Sequence, residues 1–275
     1  MTAAARLDPT LGDPFQPAPG TIVVTASRVR DYDECPRRYY LRSVLQLAAD
    51  PIDDTPASSR GLAAHAELHA RHVDAARHNE TGFVDPESSG DSRVLRFVEN
   101  HRALCPGDAG ATYVGGELDL RWFIARQNLL LTGRVDAVWR WPDGTIEVRD
   151  YKTGVCPDTL RHDVGAAFYA LLARAGFDLP NRVRVTYERL GGEHAGLVTW
   201  DLDSTDLQQC YARLETFCIG IRTERGFEAR PSAAACGRCG YRRLCPSAAP
   251  LAAAANSSTI VDGDIDTTSA QADPF

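Results

Sequence analysis

The stretch Gly133–Gly154 reads GRVDAVWRWPDGTIEVRDYKTG and predicts a β-hairpin. Two runs rich in β-branched and aromatic residues, Leu129–Trp141 and Thr145–Lys152, flank Pro142-Asp143-Gly144. The residue types of this tripeptide favour a tight turn between two antiparallel strands. We therefore expect the hairpin to form part of the central sheet of the protein.

Two acidic side chains of this hairpin are expected to face each other. Pairing that is symmetric about Asp143 places Asp136 opposite Asp150, with Cβ atoms about 4.5–5.5 Å apart on one face of the sheet. Lys152 follows two residues after Asp150, so its side chain points to the same face. Facing carboxylates repel each other, and a divalent cation held between them removes the repulsion. The hairpin therefore predicts a metal site with an amine beside it.

Lys152 is the only lysine among the 30 basic residues of the chain. Lysine is a compact point charge, whereas arginine is a wide, permanently charged fork. A chain so rich in arginine must place its last lysine somewhere, but a position two residues after a hairpin carboxylate favours a chemical role. We interpret Lys152 as an amine that acts beside a metal ion and a reacting water.

The composition is that of a globular protein of 275 residues, with 44% hydrophobic and 24% charged residues. The first thirty residues contain no cationic start followed by an apolar run, and no apolar stretch approaches the roughly 20 residues that span a bilayer. We therefore expect a cytoplasmic location and no membrane partner. Residues 1–20 are expected to be a flexible leader, residues 21–248 the folded domain and residues 249–275 a disordered acidic tail.

The formal net charge of −7 does not exclude DNA as a partner. Four of the acidic residues belong to the predicted tail, which contains no lysine or arginine: Asp262, Asp264, Asp266 and Asp273. Within the domain, Arg37, Arg38 and Tyr39 form a basic and aromatic segment that can bind a single strand through charge and stacking. It is equally compatible with a helix whose tyrosines pack inward and whose arginines face solvent.

Several segments have the periodicity of regular secondary structure. Helices are expected at about residues 27–35, 58–76, 91–104, 158–175 and 204–223, and further strands at 117–123, 183–190 and 196–202. The helix at 58–76 contains His65 and His69 in the spacing of a zinc protease, but it lacks the glutamate of the HExxH motif. The protease interpretation fails, and a single helical histidine is more often a surface or core residue than a ligand.

Three cysteines close together near the end of the domain indicate a thiolate metal site: Cys236, Cys239 and Cys245. A closed site needs four ligands, so the fourth must be Cys35, Cys105 or Cys156. We favour Cys35, because it begins a helix that could pack against the terminal segment. Zinc and an iron–sulfur cluster are both compatible with this spacing. Cys210 and Cys218 belong to the apolar stripe of the last long helix and are expected to be core residues.

With these features the chain resembles the RecB-like branch of the PD-(D/E)XK nucleases. It is most similar to the iron–sulfur members, namely the AddB nuclease domain, the Dna-two-type helicase–nucleases and the CRISPR-associated exonucleases. The resemblance covers roughly Thr25 to Pro246. It implies an α/β fold with a restriction-endonuclease-like central mixed β-sheet flanked by helices, and with N- and C-terminal segments joined by a four-cysteine metal cluster.

The resemblance also implies roles for individual residues. His65 in GLAAHAELH matches the metal-binding histidine, and Asp136 in GRVDAV matches the first metal-binding aspartate. Asp150 and Lys152 in VRDYKTG match the acid and the lysine of the D/E-x-K element, and the carbonyl of Tyr151 is a further metal ligand. Asp136, Asp150 and Lys152 would thus form the catalytic centre.

Two further motifs belong to the same comparison. Cys35 in ECPRRYY matches the first cysteine of the family's cluster, and the terminal trio matches the other three. Tyr169 matches the tyrosine of a helical Q-x-x-x-Y motif and is expected to be catalytic. The chain departs from that motif because Gly165 occupies the glutamine position, which puts activity or strand preference in question.

The resemblance implies Mg²⁺- or Mn²⁺-dependent hydrolysis of DNA phosphodiesters, with a 4Fe–4S cluster in the cysteine site and zinc as the alternative occupant. We expect an exonuclease acting on single-stranded DNA or free ends, in DNA repair, recombination or CRISPR-type processing, with a helicase or another repair protein as partner. One alternative is a catalytically degenerate DNA-binding subunit of a helicase–nuclease complex. The other is a zinc-stabilised module that binds proteins through its acidic tail.

Overall fold

The structure, a computed structural model, describes Pro180 and residues 20–50, 56–77, 91–154, 156–178, 182–191 and 195–248. The predicted leader, apart from Gly20, and the predicted acidic tail lie outside these residues. Among the described helices none is both long enough and apolar enough to cross a membrane.

A six-stranded mixed sheet forms the centre of the fold. Its strands are β1 (Ile22–Val24), β2 (Thr112–Ile124), β3 (Leu129–Arg140), β4 (Ile146–Lys152), β5 (Val183–Arg189) and β6 (Gly196–Leu202). Strand β3 pairs with β2 along one edge, and on its other edge with β1 near its start and with β4 near its end. The β1–β3 and β4–β5 pairs are parallel, whereas the other three pairs are antiparallel. The predicted mixed sheet is confirmed.

Helices cover both faces of this sheet. They are α1 (Ala26–Glu34), α2 (Pro36–Tyr39), α3 (Pro56–Arg77), α4 (Ser92–Arg102), α5 (Val164–Gly176), α6 (Ser204–Thr223) and α7 (Ala233–Gly237). On one face the core is formed with α1, α5 and α6, and on the other with α3 and α4. Successive residues of β3 show the division, since Val138 packs in the first core and Trp139 in the second. Burial on both faces also encloses charged residues of β4 and β5, namely Glu147, Arg149 and Glu188.

The helix ends follow local capping residues. Helix α6 has the predicted bounds, and Asp203 caps it by accepting hydrogen bonds from the Thr205 and Asp206 amides. Helix α5 begins later than predicted, because Asp163 accepts a hydrogen bond from the Ala166 amide and so sets its first turn at Val164.

The hairpin has the register expected from its turn. Ala137 pairs with Arg149 and Arg140 pairs with Ile146, which is symmetric about Asp143. Pairing of β3 with β4 ends at Ala137, whereas pairing with β1 covers residues 129–131. In the described chain, residues 132–136 therefore have no partner strand on this edge. The gap opens the sheet directly beside Asp136.

Candidate active site

The strands of the hairpin separate at the two predicted aspartates. Just beyond the last paired residues, the Tyr151 amide donates a hydrogen bond of 2.7 Å to Asp136 Oδ2 instead of to a backbone carbonyl. The Asp136 side chain is mostly buried, with 15% of its surface exposed. The Asp136 carboxylate thus takes the place of a backbone carbonyl where the β3–β4 pairing ends. Its second oxygen, Oδ1, points to the space outside the strands.

Helix α3 brings an imidazole to this carboxylate. His65 Nδ1 lies 3.4 Å from Asp136 Oδ1, and His65 Nε2 lies 3.0 Å from the Tyr151 carbonyl oxygen. Burial alone would lower the pKa of His65, but the hydrogen bond to Asp136, the negative charges of Asp136 and Asp150 and the Tyr151 carbonyl outweigh it and raise the pKa. Both ring nitrogens face oxygen acceptors, so this position favours a cation. A divalent metal ion held by the imidazole and these oxygens would supply a positive charge at this position.

Asp150 and Lys152 lie beside this group. Asp150 is 8% exposed, and one of its oxygens, Oδ2, contacts Lys152 Nζ. The Lys152 ammonium also lies 4.6 Å from the centre of the Tyr187 ring, on which it is held by a cation–π contact. Burial raises the pKa of Asp150 to about 6, and the charge of Asp136 adds to the rise although Lys152 opposes it. A cation bound beside Asp150 would favour its ionised form.

Glu117 also lies at the site, together with His65, Asp136 and Asp150. It was not predicted from the sequence. It lies opposite Asp136 on β2, between the pairs Gly116–Ala137 and Leu118–Val135. Ligand atoms of His65, Glu117 and Asp136 lie within 4.8 Å of one another. Glu117 has a φ of +52°, a left-handed conformation that is unusual inside a strand.

A glycine makes this approach possible. A Cβ at Gly116 would overlap the Tyr113 hydroxyl, His69 Nδ1 and the Asp136 carbonyl oxygen. The β2–β3 register also shifts between Tyr113 and Gly115. Gly115 and Gly116 directly precede the predicted strand at 117–123 and lie inside the observed one. Two adjacent glycines in a strand are a signal of such irregularity, and this signal could have drawn attention to Glu117.

The donor set fits a hard divalent cation. It contains carboxylate oxygens, one backbone carbonyl oxygen and one imidazole nitrogen, contributed by Asp136, Asp150, Glu117, Tyr151 and His65. Such oxygen-rich sets suit Mg²⁺ and Mn²⁺ better than softer metals. The Lys152 ammonium is in contact with the site through Asp150.

A side chain from another helix occupies the space beside Gly165, the position at which the chain departs from the family motif. A Cβ at Gly165 would overlap Arg30 Nη2 of α1 and would lie 3.1 Å from the Tyr187 hydroxyl oxygen. Arg30 Nη2 lies 3.9 Å from Asp163 Oδ1, to which the Tyr187 hydroxyl donates a 2.8 Å hydrogen bond. Arg30, Asp163 and Tyr187 therefore form a polar chain that ends at Lys152.

Tyr169 lies on the same helix, α5, close to the two aspartates. Burial raises its pKa, and the charges of Asp150 and Asp136 raise it further. A Cβ at Gly133 would lie 3.6 Å from its ring. Tyr169 is thus a neutral phenol whose surroundings include the candidate metal ligands.

The predicted nucleic-acid-binding residues have mainly structural contacts. Tyr39 is 7% exposed and packs edge-to-face on Phe217. Arg38 forms ion pairs with Asp31 at 2.8 Å and with Glu34 at 2.9 Å, and 15% of its side chain is exposed. Tyr39 is therefore a core residue that offers no ring to a base, as the packing interpretation expected. Arg38 does not face solvent as that interpretation expected, because it is mostly buried in its two ion pairs.

Arg37 differs from these two neighbours. It is half-buried, its guanidinium lies 5.8 Å from the centre of the Tyr40 ring, and it donates a 3.4 Å hydrogen bond to the Gly226 carbonyl. A hydrogen bond of that length is weak, and the role of Arg37 in DNA binding stays a prediction.

The four predicted cluster cysteines line one small cavity, which lies between the start of α2 and the segment after α7: Cys35, Cys236, Cys239 and Cys245. Cys105 and Cys156, the two other candidates for the fourth ligand, do not line this cavity. Cys105 is buried beside two histidines in a different part of the protein, and Cys210 and Cys218 are buried in the core as predicted.

Comparison with known proteins identifies a family for this chain. A sequence profile described as the PD-(D/E)XK nuclease superfamily matches residues 23–246. No curated protein matches the chain in sequence. The crystal structure of SSO0001 has 14% identity and a TM-score of 0.38, with 84% of this chain and 88% of that chain covered. A structure described as a candidate exonuclease from Eubacterium rectale has 10% identity and a TM-score of 0.47, with the same two coverages of 84% and 88%.

Proposed function

The chain belongs to the PD-(D/E)XK nuclease superfamily, and from this we propose that it is a metal-dependent deoxyribonuclease of the RecB-like branch. The proposed reaction is hydrolysis of phosphodiester bonds by an exonuclease acting on single-stranded DNA. One observation carries the proposal: His65, Asp136 and the Tyr151 carbonyl converge at the gap in the sheet, with Asp150 and Lys152 beside them.

The metal ligands in this proposal are His65, Asp136, Asp150 and the Tyr151 carbonyl, with Glu117 close enough to take part. When bound, Mg²⁺ or Mn²⁺ lowers the pKa of a coordinated water and neutralises charge on the phosphate. Asp136 is fixed by its hydrogen bond from the Tyr151 amide, so its free oxygen has a set direction before any ligand arrives.

Lys152 supplies the positive charge beside the reacting phosphate. Its ammonium is positioned by Asp150 and by the face of the Tyr187 ring. A compact ammonium at this place can orient the attacking water or stabilise negative charge that develops on phosphorus-bound oxygens. The neutral phenol of Tyr169 is a further catalytic group in this proposal, because it can donate a hydrogen bond without adding charge.

Arg30 takes the place of the missing glutamine side chain in this proposal. Its guanidinium lies at the edge of the site with 40% of the side chain exposed. It can therefore contact a phosphate of the bound strand while Asp163 holds it from the other side. Because Arg30 occupies the space of the missing glutamine side chain, we favour an active enzyme over the degenerate DNA-binding subunit that Gly165 alone would suggest.

The cysteine cavity is proposed to hold a 4Fe–4S cluster. Four thiolates that line one cavity match the ligand number of a 4Fe–4S cluster and also that of a zinc site. The resemblance to the iron–sulfur members of the family favours the cluster. The cluster would tie the start and the end of the domain together. A helicase or another repair protein is the proposed partner in DNA repair, recombination or CRISPR-type processing.

The decisive experiment is digestion of end-labelled single- and double-stranded DNA by the purified protein with Mg²⁺ or Mn²⁺. We expect cleavage that EDTA abolishes and that Lys152→Ala reduces by about 10²–10³-fold, as for other removed charge-stabilising groups. Asp143→Asn is a matched control, because Asp143 is an exposed acid in the turn of the same hairpin. DNA binding without cleavage by the unmodified protein would instead support the degenerate subunit, and full activity of Lys152→Ala would refute the assigned role.

A further inference from the structure

A second group of potential metal ligands lies behind the candidate active site. His72 of α3, His101 of α4 and Cys105, which follows α4, are all buried, with exposures of 1%, 0% and 5%. One ligand atom from each of them lies within 4.8 Å of the other two. Buried histidine and cysteine side chains that converge on one point are the usual ligands of a transition metal.

The two imidazoles face each other through the nitrogens that would bind a metal. His72 Nε2 lies 2.9 Å from His101 Nε2. On the other side of its ring, His101 Nδ1 lies 2.8 Å from Glu188 Oε1. A carboxylate accepts hydrogen bonds, so Nδ1 of His101 is the donor and its Nε2 is the nitrogen directed to His72. A carboxylate behind a histidine in this way is the common outer partner of a metal-bound imidazole.

The charges around Glu188 also favour a cation at this place. The Arg149 guanidinium donates hydrogen bonds of 2.7 Å to Glu147 and 2.6 Å to Glu188. All three side chains are at most 3% exposed. One guanidinium is thus shared between two buried carboxylates, and a further positive charge on the far side of His101 would complete the balance.

From this arrangement we propose a second metal site, with His72 Nε2, His101 Nε2 and Cys105 Sγ as ligands and Zn²⁺ as the occupant. Zinc bonds of about 2.0–2.1 Å to nitrogen and about 2.3 Å to sulfur place such ligand atoms about 3.3–3.6 Å apart in a tetrahedron. The observed 2.9 Å between the two nitrogens requires only a small opening. The mixed nitrogen and sulfur set favours zinc over Mg²⁺, which prefers oxygen ligands.

Occupation of this site exchanges protons for the metal. The proton shared between the two Nε2 atoms is displaced and the Cys105 thiol loses its proton, while His101 keeps the proton that it donates to Glu188. Each of the three protein ligands would then offer a lone pair to the metal.

The site would fix the orientation of α3. His65 and His72 are seven residues apart on that helix and so lie on nearly the same face. A metal ion that joins His72 to α4 would therefore hold His65 against Asp136 and the Tyr151 carbonyl. The zinc site is structural in this proposal and does not depend on whether the protein cleaves DNA.

Metal analysis of the purified full chain tests the proposal. We expect zinc in the unmodified protein, and we expect Cys105→Ala and His72→Gln each to lose one equivalent of it. Cys218→Ala is the matched control, because Cys218 is also a buried thiol whose pKa burial raises to about 11, as it does for Cys105. Both cysteine variants remove a similar buried group, so a difference between them reports the metal.

Reconstitution with Co²⁺ gives a second readout that is independent of nuclease activity. Cobalt bound by a thiolate has an intense near-ultraviolet band, and Cys105→Ala should reduce this band relative to the Cys218→Ala control. Since the cluster cysteines can also bind cobalt, the comparison is made between variants that retain all four of them. Unchanged zinc content and an unchanged cobalt spectrum in both Cys105→Ala and His72→Gln would overturn the proposal.

Discussion

The guanidinium of Arg30 occupies the space that a side chain at position 165 would fill, since a Cβ on Gly165 would overlap Arg30 Nη2. Two helices that are distant in sequence thus share one position at the edge of the site. Arg30 also lies 3.9 Å from Asp163, the residue that caps α5. A substitution at position 30 therefore alters the space available at position 165, and a substitution at position 165 displaces the side chain at position 30.

The shared position predicts that substitutions of Arg30 and Gly165 are coupled. Arg30→Ala should reduce DNA cleavage through loss of the phosphate contact. Gly165→Gln should also reduce it and should destabilise the fold by about 1–3 kcal/mol, because the new side chain displaces Arg30. The double variant removes the shortest contact of the new side chain and keeps those of its Cβ with Asp163 Oδ1 at 3.0 Å and the Tyr187 hydroxyl at 3.1 Å. We therefore expect it to be more active and more stable than Gly165→Gln.

Cleavage rates and urea denaturation of the four proteins form a double-mutant cycle that measures this coupling. A coupling free energy of about 0.5–3 kcal/mol is typical of residues in contact. Strictly additive effects on both rate and stability would show that Arg30 does not replace the glutamine side chain.

Gly116 is predicted to be essential for the local fold of β2. Gly116→Ala places a Cβ only 2.8 Å from the Asp136 carbonyl oxygen, and the backbone on both strands must move to relieve the contact. We expect a loss of about 1–3 kcal/mol of stability from this overpacking, together with weaker metal binding as Glu117 and Asp136 shift.

Gly196→Ala is the control for this change. Gly196 is also in a strand, β6, but a Cβ there meets nothing within 4 Å. Thermal denaturation of both variants distinguishes the effect of the contact from that of replacing glycine in a sheet. Equal stability of the two variants would contradict the account of β2.

Asp150 is predicted to make the effect of metal depend on pH. Its pKa is raised from 3.8 to about 6 by burial, so the folded state holds the proton more tightly than the unfolded chain does. In metal-free protein its contribution to stability is therefore complete below about pH 3.8 and is lost as the pH rises through about 6. Mn²⁺ binds the ionised carboxylate, so the stabilisation that Mn²⁺ provides should grow over the same range.

The measurement is the difference in melting temperature between Mn²⁺ and EDTA at pH values of about 5 and 7.5, on either side of this pKa. The raised pKa of His65 acts in the same direction, because its protonated ring cannot bind the metal. Asp150→Asn should flatten the dependence, whereas Asp143→Asn should leave it unchanged. A metal effect that is constant with pH in the unmodified protein would contradict the assignment of Asp150.

The sequence was sufficient to predict the hairpin, because its register depends on a local turn and on alternation along two strands. It was not sufficient to predict how the site is completed. The paired aspartates do not form a simple cross-strand pair, since Asp136 accepts the Tyr151 amide where the strands separate. Glu117 reaches the site through a left-handed residue within a strand, and Arg30 reaches it from another helix.

The environment of the basic and aromatic segment formed by Arg37, Arg38 and Tyr39 could not be predicted from the sequence either. Its composition is compatible with both a nucleic-acid surface and a packed helix, and only tertiary contacts decide between them. Tyr39 packs on Phe217, which is distant in sequence, whereas Arg38 forms ion pairs with Asp31 and Glu34 of the preceding helix. Residue types alone therefore do not show which of these side chains are buried.

Loss of the cysteine cluster is predicted to loosen the junction between the two ends of the domain. Cys35 and the terminal cysteines are separated by about 200 residues, so a shared cluster removes much of the chain entropy of the unfolded state. We expect the protein purified without oxygen to be brown, and Cys35→Ser to lose both the colour and several degrees of thermal stability. Cys156→Ser is the control, because Cys156 has a similar intermediate exposure but does not line the cavity. A colourless protein that contains zinc bound by these cysteines would show that the cavity holds a single ion instead.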